Sequence, residues 1–440
     1  MDIVCCKMYL RLFKRLTWKT VLLTIFIIFV MDYFGAFKHI LEKEFTSSFR
    51  YPYEGDINRY VDQLERGEKP DVAPINIYNY TFILDSDHKC KTEASAPRLV
   101  YLVKSALDNF ARRRAIRNTW GFEGRFSDVT IRRVFLLGIS KNDPDIQKRI
   151  LKEHLKFRDI VQANFLDNYY NNTIKTMMGF KWAMQFCPNS KVYFFSDDDM
   201  YISTKNVLRF IRNPTHYPHY LESPIISLDQ NRRKRSVNDD NVNFTTTHGN
   251  IANEINKNES QVKDIVSITE PRIQDGLFSS DVMANKSYPG LINSSANTTK
   301  RKTLQVIDFD LPDDALLWAG YVFYSSPHRH KSSKWYVSLS DYPYDRWPPY
   351  VTAGSYILSQ NAFRLLYFAS LYTKHFKYDD IFLGLAASKV GVEPFHCDDF
   401  HFYPKDYSVS GYRYVVASHG YSNPQELLDV WNEQRSAGNA

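Results

Sequence analysis

Residues 192–199 read VYFFSDDD, an apolar run that ends in three consecutive aspartates. Val, Tyr and Phe are enriched in β-strands, so the run predicts a buried strand. Adjacent carboxylates repel one another, and the triplet 197–199 is therefore costly unless water or a cation compensates its charge. A divalent ion held by carboxylate and diphosphate oxygens would do so. A turn of solvated aspartates before the next helix is the alternative, and these residues alone do not decide between the two.

Short apolar runs and helical segments alternate around this stretch. Residues 98–104 (RLVYLVK) and 133–139 (RVFLLGI) have the composition of buried strands, whereas 110–120 and 171–186 have helical spacing. This alternation, from about residue 97 to about residue 212, predicts an α/β domain with a mostly parallel sheet. Ligands bind such sheets at the carboxyl ends of their strands, which is where the aspartate triplet lies.

Two further charged clusters are candidates for phosphate binding and proton transfer. Arg113 and Arg117 share a helical face after the first strand, and guanidinium groups bind phosphate oxygens in bidentate fashion. Asp379 and Asp380 open a helix near the end of the domain, where one carboxylate could take a proton from an acceptor hydroxyl. An exposed basic helix and simple partners of a helix dipole are the alternative interpretations.

The N-terminal region predicts a membrane anchor. Residues 20–37 form an 18-residue stretch whose one charge is Asp32, and as a helix this stretch would span about 27 Å. Five basic residues precede it, so 1–19 is expected to be a cytoplasmic tail and the rest of the chain luminal. A cleaved signal peptide is the alternative, because the apolar run before Asp32 has only 12 residues. The anchor is favoured because no small-residue cleavage pattern follows.

The remaining chain divides into a stem and a catalytic domain. Residues 38–96 are polar and irregular, so we predict a luminal stem. Residues 97–440 form the predicted catalytic domain, interrupted at 223–310 by a polar insertion that lacks periodicity and is predicted to be disordered. Luminal placement is supported by N-glycosylation sequons. Their asparagines are Asn79, Asn171, Asn243, Asn258, Asn285, Asn293 and Asn297.

Charge and cysteine usage narrow the function classes further. The net charge is +7, but the basic residues are spread along the chain, so nucleic-acid binding is not expected. Three cysteines follow the apolar stretch, Cys90, Cys187 and Cys397, and they permit at most one intrachain disulfide whose pairing the sequence leaves open. No Cys-X-X-Cys spacing occurs, so a structural zinc site is not predicted.

Several stretches together resemble the β-1,3-glycosyltransferase family, which contains β-1,3-galactosyltransferases and β-1,3-N-acetylglucosaminyltransferases. In order, they are 113–121 (RRAIRNTWG), 134–138 (VFLLG), 165–176 (FLDNYYNNTIKT), 197–199 (DDD), 334–350 (KWYVSLSDYPYDRWPPY) and 379–384 (DDIFLG). The resemblance implies a GT-A-type nucleotide-sugar transferase fold with a mixed, mostly parallel sheet. It also implies an enzyme of the Golgi membrane that inverts the anomeric centre while transferring a sugar to the 3-hydroxyl of a glycan.

The resemblance also implies roles for individual residues. Asp199 and His419 would bind manganese, and Asp380 would be the catalytic base. Arg113, Arg117 and Lys175 would hold the nucleotide and its phosphates. Asp197 would lie beside the donor ribose or the waters of the metal, and Asp198 would also belong to the donor-binding residues. The substrate-binding residues would be Trp335, Tyr336, Trp347, Tyr350, Gly354 and Asp379. Of these, the aromatic side chains could stack on sugar faces, although packing against the 348–349 proline turn is the alternative for some of them.

Donor and acceptor follow from the same resemblance. UDP-N-acetylglucosamine is the expected donor, and UDP-galactose is the nearest alternative. Strings such as 326–339 (SPHRHKSSKWYVSL) and 395–402 (FHCDDFHF) resemble a family member of glycosphingolipid synthesis, which implies mannosyl-glucosylceramide as acceptor. Many relatives have Glu-Asp where Asp379 and Asp380 stand, a change that preserves the proposed base. Outside the family, an inverting glycosidase and a non-catalytic membrane-anchored lectin are the alternatives.

Overall fold

The computed structural model describes residues 17–91, 96–141, 143–221 and 311–440. The predicted insertion at 223–310 lies outside the described residues. So do its five sequon asparagines, Asn243, Asn258, Asn285, Asn293 and Asn297. Of the predicted cytoplasmic tail, only residues 17–19 are described.

Strands and helices alternate through the part of the chain predicted to be catalytic. The strands are β1 Phe82–Leu84, β2 Leu99–Lys104, β3 Ile131–Ile139, β4 Ile160–Leu166, β5 Val192–Asp197, β6 Met200–Ile202, β7 Trp318–Phe323, β8 Tyr350–Ser359, β9 Pro394–His396, β10 Phe400–His401 and β11 Ala417–His419. The helices are α1 Trp18–Tyr33, α2 Ala36–Ile40, α3 Phe45–Ser48, α4 Asn58–Glu65, α5 Phe110–Asn118, α6 Pro144–Phe157, α7 Asn172–Phe186, α8 Thr204–Arg212, α9 Gln360–Leu371, α10 Asp379–Lys389 and α11 Pro424–Ser436. The two strands and two helices predicted between residues 98 and 186 are confirmed, with ends shifted by one or two residues.

An eight-stranded sheet forms the centre of the fold, in the order β1-β4-β3-β2-β5-β8-β7-β9. The pairs β4–β3, β3–β2, β2–β5 and β7–β9 are parallel. The other three pairs, β1–β4, β5–β8 and β8–β7, are antiparallel. The predicted α/β architecture with a mixed, mostly parallel sheet is therefore confirmed.

Strand register brings distant parts of the sequence to one end of this sheet. Lys104, the last residue of β2, pairs with Asp197, the last residue of β5. A second sheet, in the order β10-β11-β6, places His419 of β11 opposite Met200 of β6. Because β6 follows the aspartate triplet directly, this pairing carries a residue from near the C-terminus to the triplet.

Helix α1 is shorter than the predicted span of 20–37. It ends at Tyr33, and Gly35 then adopts a left-handed backbone with φ of 81°. A residue in this conformation ends a helix, and glycine adopts it without steric penalty. In the described part of the chain, every helix falls short of the length and apolar character that a membrane crossing requires.

Most of the predicted stem, 38–96, packs against the domain that is predicted to be catalytic. Strand β1 pairs with β4 of the central sheet, and Ile57, just before α4, and Val61 of α4 are buried in one apolar cluster with Tyr372. A disulfide joins Cys90 to Cys187, with a Cα–Cα distance of 5.3 Å, and the thiol of Cys397 is buried. These residues belong to the same compact unit as the sheet, and the predicted boundary at residue 97 stays a prediction.

Candidate active site

A cavity of about 550 Å³ opens at the carboxyl ends of β2, β4 and β5. This is the edge of a parallel sheet at which ligands bind, and the volume is within the range of small-molecule sites. The loop after β2, the loop after β4, the start of α7 and the aspartate triplet form its wall. The lining residues are Lys104, Ser105, Ala106, Leu107, Asp108, Asn109, Ser140, Asp143, Ile146, Asp167, Asn168, Tyr169, Asn172, Lys175, Asp197, Asp198 and Asp199.

The two predicted metal ligands lie side by side. Nε2 of His419 is 3.5 Å from Oδ2 of Asp199, and Arg112 Nη1 is 3.8 Å from the same oxygen. Hydrogen bonding to Asp199 is the main cause that raises the pKa of His419. Burial by itself would raise the pKa of Asp199, but His419 and Arg112 outweigh it and the pKa is lowered. The pair is therefore favoured as a carboxylate and an imidazolium when no other cation is present.

The second carboxylate oxygen of Asp199 is the atom best placed for a metal. Oδ1 is buried and has no hydrogen-bond partner among the described residues. A buried carboxylate oxygen without a partner is costly, and a cation would satisfy it. Carboxylate oxygen and imidazole nitrogen are both donors that divalent metal ions accept. The residues present therefore fit a divalent cation, although the described chain contains no group of three or more His, Cys, Asp or Glu side chains arranged to hold one.

Lys104 links the aspartate triplet to the second acidic pair. Its Nζ lies 3.0 Å from Oδ1 of Asp197 and 2.9 Å from Oδ2 of Asp379. It also donates to the carbonyl of Ala353 at 3.0 Å. Although burial alone would lower the pKa of Lys104, the two carboxylates raise it, so this lysine stays charged. One buried ammonium thus joins the ends of β2, β5 and α10.

Asp197 and Asp198 differ in surroundings although they are adjacent. Burial raises the pKa of Asp197 to about 6, and the nearby charges of Asp199 and Asp379 add to this rise. Asp198 is buried and accepts hydrogen bonds from Ser105 Oγ at 2.6 Å, Asn109 Nδ2 at 2.9 Å and Arg112 Nη1 at 2.9 Å. Asp198 was predicted to contact the nucleotide, and in the structure its carboxylate holds the loop after β2.

The two carboxyl groups of the second acidic pair differ: Asp379 is ion-paired, and the pKa of Asp380 is raised. Asp379 is buried and accepts from Lys104 and, at 2.7 Å, from Thr176 Oγ1. Burial opposes ionisation of Asp379, yet Lys104 lowers its pKa. At Asp380, burial first and the charge of Asp379 second raise the pKa to about 7. A carboxyl with a pKa near the working pH is well matched to general base catalysis.

Arg113 and Arg117 do not line the cavity, contrary to the prediction. Arg113 is fully buried, with Nη2 2.8 Å from Glu153 and Nη1 donating to Ser105 and Ala106. Arg117 pairs with Glu153 at 2.6 Å and with Asp159 at 2.8 Å. Buried carboxylates satisfy both guanidinium groups because the basic face of α5 turns toward α6 and β4. In the structure Arg113 holds the loop after β2, and Arg117 joins α5 to Glu153 and Asp159, so the phosphate-binding role of both stays a prediction.

We expect Arg117→Met to destabilise the protein by about 3 kcal/mol, because the buried carboxylates of Asp159 and Glu153 each lose one of their two cationic partners and keep only Arg133 and Arg113. The shift in the midpoint of urea unfolding of the full chain measures this effect. Exposed Arg114 on the same helix provides the control, since Arg114→Met removes one positive charge from the solvent side. A stable Arg117→Met protein with weakened donor binding would restore the phosphate-binding interpretation.

Lys175 lines the cavity as predicted, together with cationic residues that the sequence analysis did not assign. Its Nζ is 2.8 Å from Oδ1 of Asp167 and 2.7 Å from the carbonyl of Ser105. Lys104 lines the same cavity, and Arg112 contacts the triplet. The position of Lys104 at the carboxyl end of a predicted strand was a usable signal. No sequence signal distinguished Arg112 from its basic neighbours.

The predicted sugar-stacking aromatics separate into exposed and buried residues. Trp335 is 47% exposed, and its indole N–H donates at 3.0 Å to the hydroxyl of Tyr169 in the cavity wall. Tyr336 is partly buried, and its carbonyl accepts from Lys377. Trp347 is buried, with its ring centroid 4.0 Å from that of Tyr342. Trp347 is therefore a core residue, whereas Trp335 is available to a ligand.

Tyr350 is buried beside the helix that carries the proposed base. A Cβ built at Gly384 would lie 2.8 Å from the Cβ of Tyr350, so these two positions are in contact. Asp380 is one helical turn before Gly384 and on the same face. Burial, followed by the charge of Asp380, raises the pKa of Tyr350. Its hydroxyl is 3.0 Å from Ser325 Oγ, so Tyr350 forms part of the wall beside the base and does not stack freely.

Three other predicted positions have distinct surroundings. A side chain at Gly354 would meet only Met200 Sδ, at an ordinary 3.6 Å, so the backbone there is accessible. Asn79 is exposed, as a glycosylation acceptor must be. Asn171 instead donates its amide to the carbonyl of Leu166 at 2.8 Å, and the hydroxyl of Thr173 in the same sequon is buried against Phe376. Asn171 is partly exposed, and its glycosylation stays a prediction.

These parts define a class of protein. A mixed α/β sheet with a carboxylate triplet at a strand end, a histidine carried across to it and a separate acidic pair nearby form the site of a glycosyltransferase. The sequence pattern of the galactosyltransferase family matches residues 111–248 and 302–398. The chain belongs to the galactosyltransferase family, and its reaction therefore involves a sugar donor and an acceptor.

Two relatives with similar sequences agree with this assignment. The chain is 36% identical over 422 residues to beta-1,3-galactosyltransferase brn of Drosophila melanogaster, covering 95% of this chain and 96% of that protein. It is 26% identical over 364 residues to human beta-1,3-galactosyltransferase 1, covering 82% of this chain and 81% of that protein. A solved structure of galactosyltransferase LgtC with donor and acceptor sugar analogues aligns at 11% identity and a TM-score of 0.30, over 78% of this chain and 100% of that one.

Proposed function

We propose that this protein is a divalent-metal-dependent, inverting β-1,3-glycosyltransferase of the GT-A type and that its donor is a UDP-sugar. The observation that carries the proposal is the bridge made by Lys104, which joins Asp197 of the triplet to Asp379, the neighbour of Asp380. The carboxylate cluster that we propose to bind the cation is thus connected, through one buried ammonium, to the acidic pair whose Asp380 has a raised pKa. Transfer to a hydroxyl needs both, one for the leaving group and one for the nucleophile.

The donor is expected to occupy the cavity with its diphosphate toward the triplet. Asp199 and His419 would hold the manganese ion, and diphosphate oxygens and water would complete its coordination. When bound, the metal would neutralise charge on the departing diphosphate. Lys175 places an ammonium group in the cavity wall, where it favours the same negative charge. Arg112 keeps the carboxylates of Asp198 and Asp199 oriented.

Asp380 would accept the proton of the acceptor 3-hydroxyl as that oxygen attacks the anomeric carbon. Attack from the face opposite the leaving UDP converts an α-linked donor into a β-linked product. The negative charge of Asp379 is balanced by Lys104, so its neighbour rather than Asp379 itself takes the proton. Trp335 and Tyr169 would form the sugar-contacting surface on the acceptor side, as amphipathic aromatics commonly do.

The rate is expected to rise with pH through about 7, the pKa of Asp380. A carboxyl whose pKa is raised above its ordinary value is protonated below that pH and cannot accept the acceptor proton, so kcat/KM should fall about tenfold per pH unit on the acid side. The profile is measured from about pH 5 to about pH 9 at saturating manganese. Asp379→Asn should move the inflection to lower pH, because it removes a charge that raises the pKa. A flat profile across this range would contradict the assignment.

UDP-N-acetylglucosamine is the proposed donor, with UDP-galactose as the second candidate. The names of the two relatives favour galactose as the donor sugar. The family resemblance carried by the strings at 326–339 and 395–402 favours N-acetylglucosamine. Purified full-length protein with manganese and either donor distinguishes them by the product formed on one β-linked acceptor. Release of UDP from neither donor, with or without acceptor, would reject the enzyme and leave a carbohydrate-binding protein.

A lipid-borne acceptor and a Golgi membrane location form the outer part of the proposal. Helix α1 exposes large apolar side chains, among them Trp18, Leu23, Phe26 and Phe29, and such a helix favours a lipid environment. The basic residues before it favour a cytoplasmic N-terminus. We propose that this region anchors the enzyme in the membrane and that mannosyl-glucosylceramide is its acceptor. Transfer to that glycolipid, compared with glucosylceramide lacking the mannose, is the test.

A further inference from the structure

The loop that carries Trp335 is organised by one buried arginine. Arg329 is 1% exposed, and its guanidinium spans a loop that has little regular secondary structure. Nη1 donates to the carbonyls of Val337 and Ser338 at 3.0 and 3.1 Å, and Nη2 donates to those of Tyr342 and Tyr344 at 2.8 Å each. We define residues 328–345 as the acceptor loop. Its conformation depends on this side chain.

The charge of Arg329 is balanced from outside the region that the family pattern matches. Nε of Arg329 donates to Oε1 of Glu42 at 2.6 Å, and the Glu42 side chain is only 6% exposed. The family match begins at residue 111, so Glu42 lies well before it. A buried guanidinium without a counter-charge is strongly unfavourable. The acceptor loop therefore requires a residue that the stem supplies.

The chain around Glu42 is fitted to the acceptor loop at several points. Lys43 N–H donates to the carbonyl of Pro343 at 2.9 Å, and the carbonyl of Lys43 accepts from Asp345 N–H at 3.0 Å. Phe45 N–H donates to Asp345 Oδ1 at 2.8 Å. At Gly35 a Cβ would lie 2.8 Å from the carbonyl oxygen of Arg329. We call residues 35–45 the clamp.

The clamp reaches the sugar-contacting side of the site through two short steps. The acceptor loop carries Trp335, whose indole bonds to Tyr169 in the wall of the donor cavity. Tyr169 in turn lies within electrostatic range of Asp380, whose charge contributes to raising the tyrosine pKa after the effect of burial. Lys38 of the clamp is 3.4 Å from the hydroxyl of Tyr336 in the same loop. Displacing the loop would therefore move Trp335 relative to the base.

We propose that the clamp is a positioning element for the acceptor, with Glu42 acting through Arg329 to set the place of Trp335. The inference rests on the proposed function, and it adds residues that lie outside the family's matched region. Glu42 is not among the residues that line the donor cavity, so its effect should be confined to acceptor binding. The donor cavity, formed by the carboxyl ends of β2, β4 and β5, should keep its geometry.

The test compares acceptor KM, kcat and acceptor-independent donor hydrolysis in full-length variants. Glu42→Ala should raise acceptor KM about 10-fold, since small misplacements of a positioning group have effects of this order or larger. Glu42→Gln, which keeps an oxygen for Arg329 Nε, should recover part of the loss. Gly35→Ala should reproduce the rise without changing any charge, because its Cβ and left-handed backbone oppose the packing. Donor hydrolysis should stay within about twofold in all three.

The matched control is the exposed pair Asp32 and Lys331, at 3.1 Å, which joins the end of α1, just before the clamp, to the acceptor loop. Lys331→Ala should leave acceptor KM unchanged, because exposed ion pairs contribute little. A fall in donor hydrolysis as large as the rise in acceptor KM would show that the clamp only supports folding. An unchanged acceptor KM in both Glu42→Ala and Gly35→Ala would overturn the proposal. A parent protein that transfers no sugar would instead reject the proposed function, so the two failures are distinguishable.

Discussion

Asp380→Asn is expected to lower kcat for sugar transfer by about 10²- to 10⁴-fold, the contribution typical of a general base. An amide has nearly the same shape as the carboxyl but cannot accept the acceptor proton. The Ile381 N–H that bonds to Oδ1 of Asp380 at 2.8 Å can still find an oxygen, so the start of α10 should be preserved. Transfer is measured with saturating donor, acceptor and manganese, and donor binding is measured separately by titration with UDP.

The control for this substitution is Asp398→Asn, which removes a carboxylate whose side chain is 99% exposed. It changes net charge equally and should leave kcat within about twofold, since exposed charges contribute little. Loss of UDP binding in Asp380→Asn would mean that the residue belongs to the donor site. Transfer at the parental rate would mean that another group accepts the proton, and the raised pKa of Asp380 would have no catalytic use.

Asp199→Ala is expected to lower kcat/KM by about 10³-fold, because charge stabilisation by a metal is worth several kcal/mol. The substitution removes both the buried Oδ1 and the oxygen that is 3.5 Å from His419. His419→Ala should give a smaller loss in the same direction, since one ligand remains. Manganese-dependent quenching of protein fluorescence on addition of UDP gives a readout that does not depend on turnover.

Asp198→Asn separates a metal role from a structural one. Its carboxylate accepts three hydrogen bonds from the loop after β2 and from α5, so the substitution should lower the unfolding midpoint while manganese still binds. If Asp199→Ala and Asp198→Asn lose manganese-dependent UDP binding to the same extent, the triplet acts as a unit and the division of roles is wrong.

The sequence predicted the sheet and the main carboxylates because both depend on local signals. Apolar β-branched runs identify buried strands, and a strand ending in three aspartates marks its own carboxyl end. Asp199, His419 and Asp380 followed from family motifs. The structure brings Asp199 and His419 together through the β6–β11 pairing, a contact between residues far apart in sequence.

Tertiary contacts that leave no pattern in the local sequence explain why the arginines, Trp347 and the stem have surroundings that the sequence did not indicate. Arg113 and Arg117 looked like phosphate ligands because their carboxylate partners, Glu153 and Asp159, come from later elements. Trp347 looked available to a ligand because the sequence does not show that it is buried against Tyr342. The stem looked like a tether because polar, proline-containing sequence does not reveal that one short strand within it pairs with the sheet edge.

We propose that a metal ion supports the departure of the nucleotide. The most direct test is to measure sugar transfer by the full-length protein after a chelator has removed divalent ions. Activity should fall below detection and return when manganese is added in excess, while Asp199→Ala should stay inactive after the same addition. Undiminished turnover in the chelator, by protein shown by elemental analysis to be metal-free, would contradict the assignment of Asp199 and His419 and the mechanism built on them.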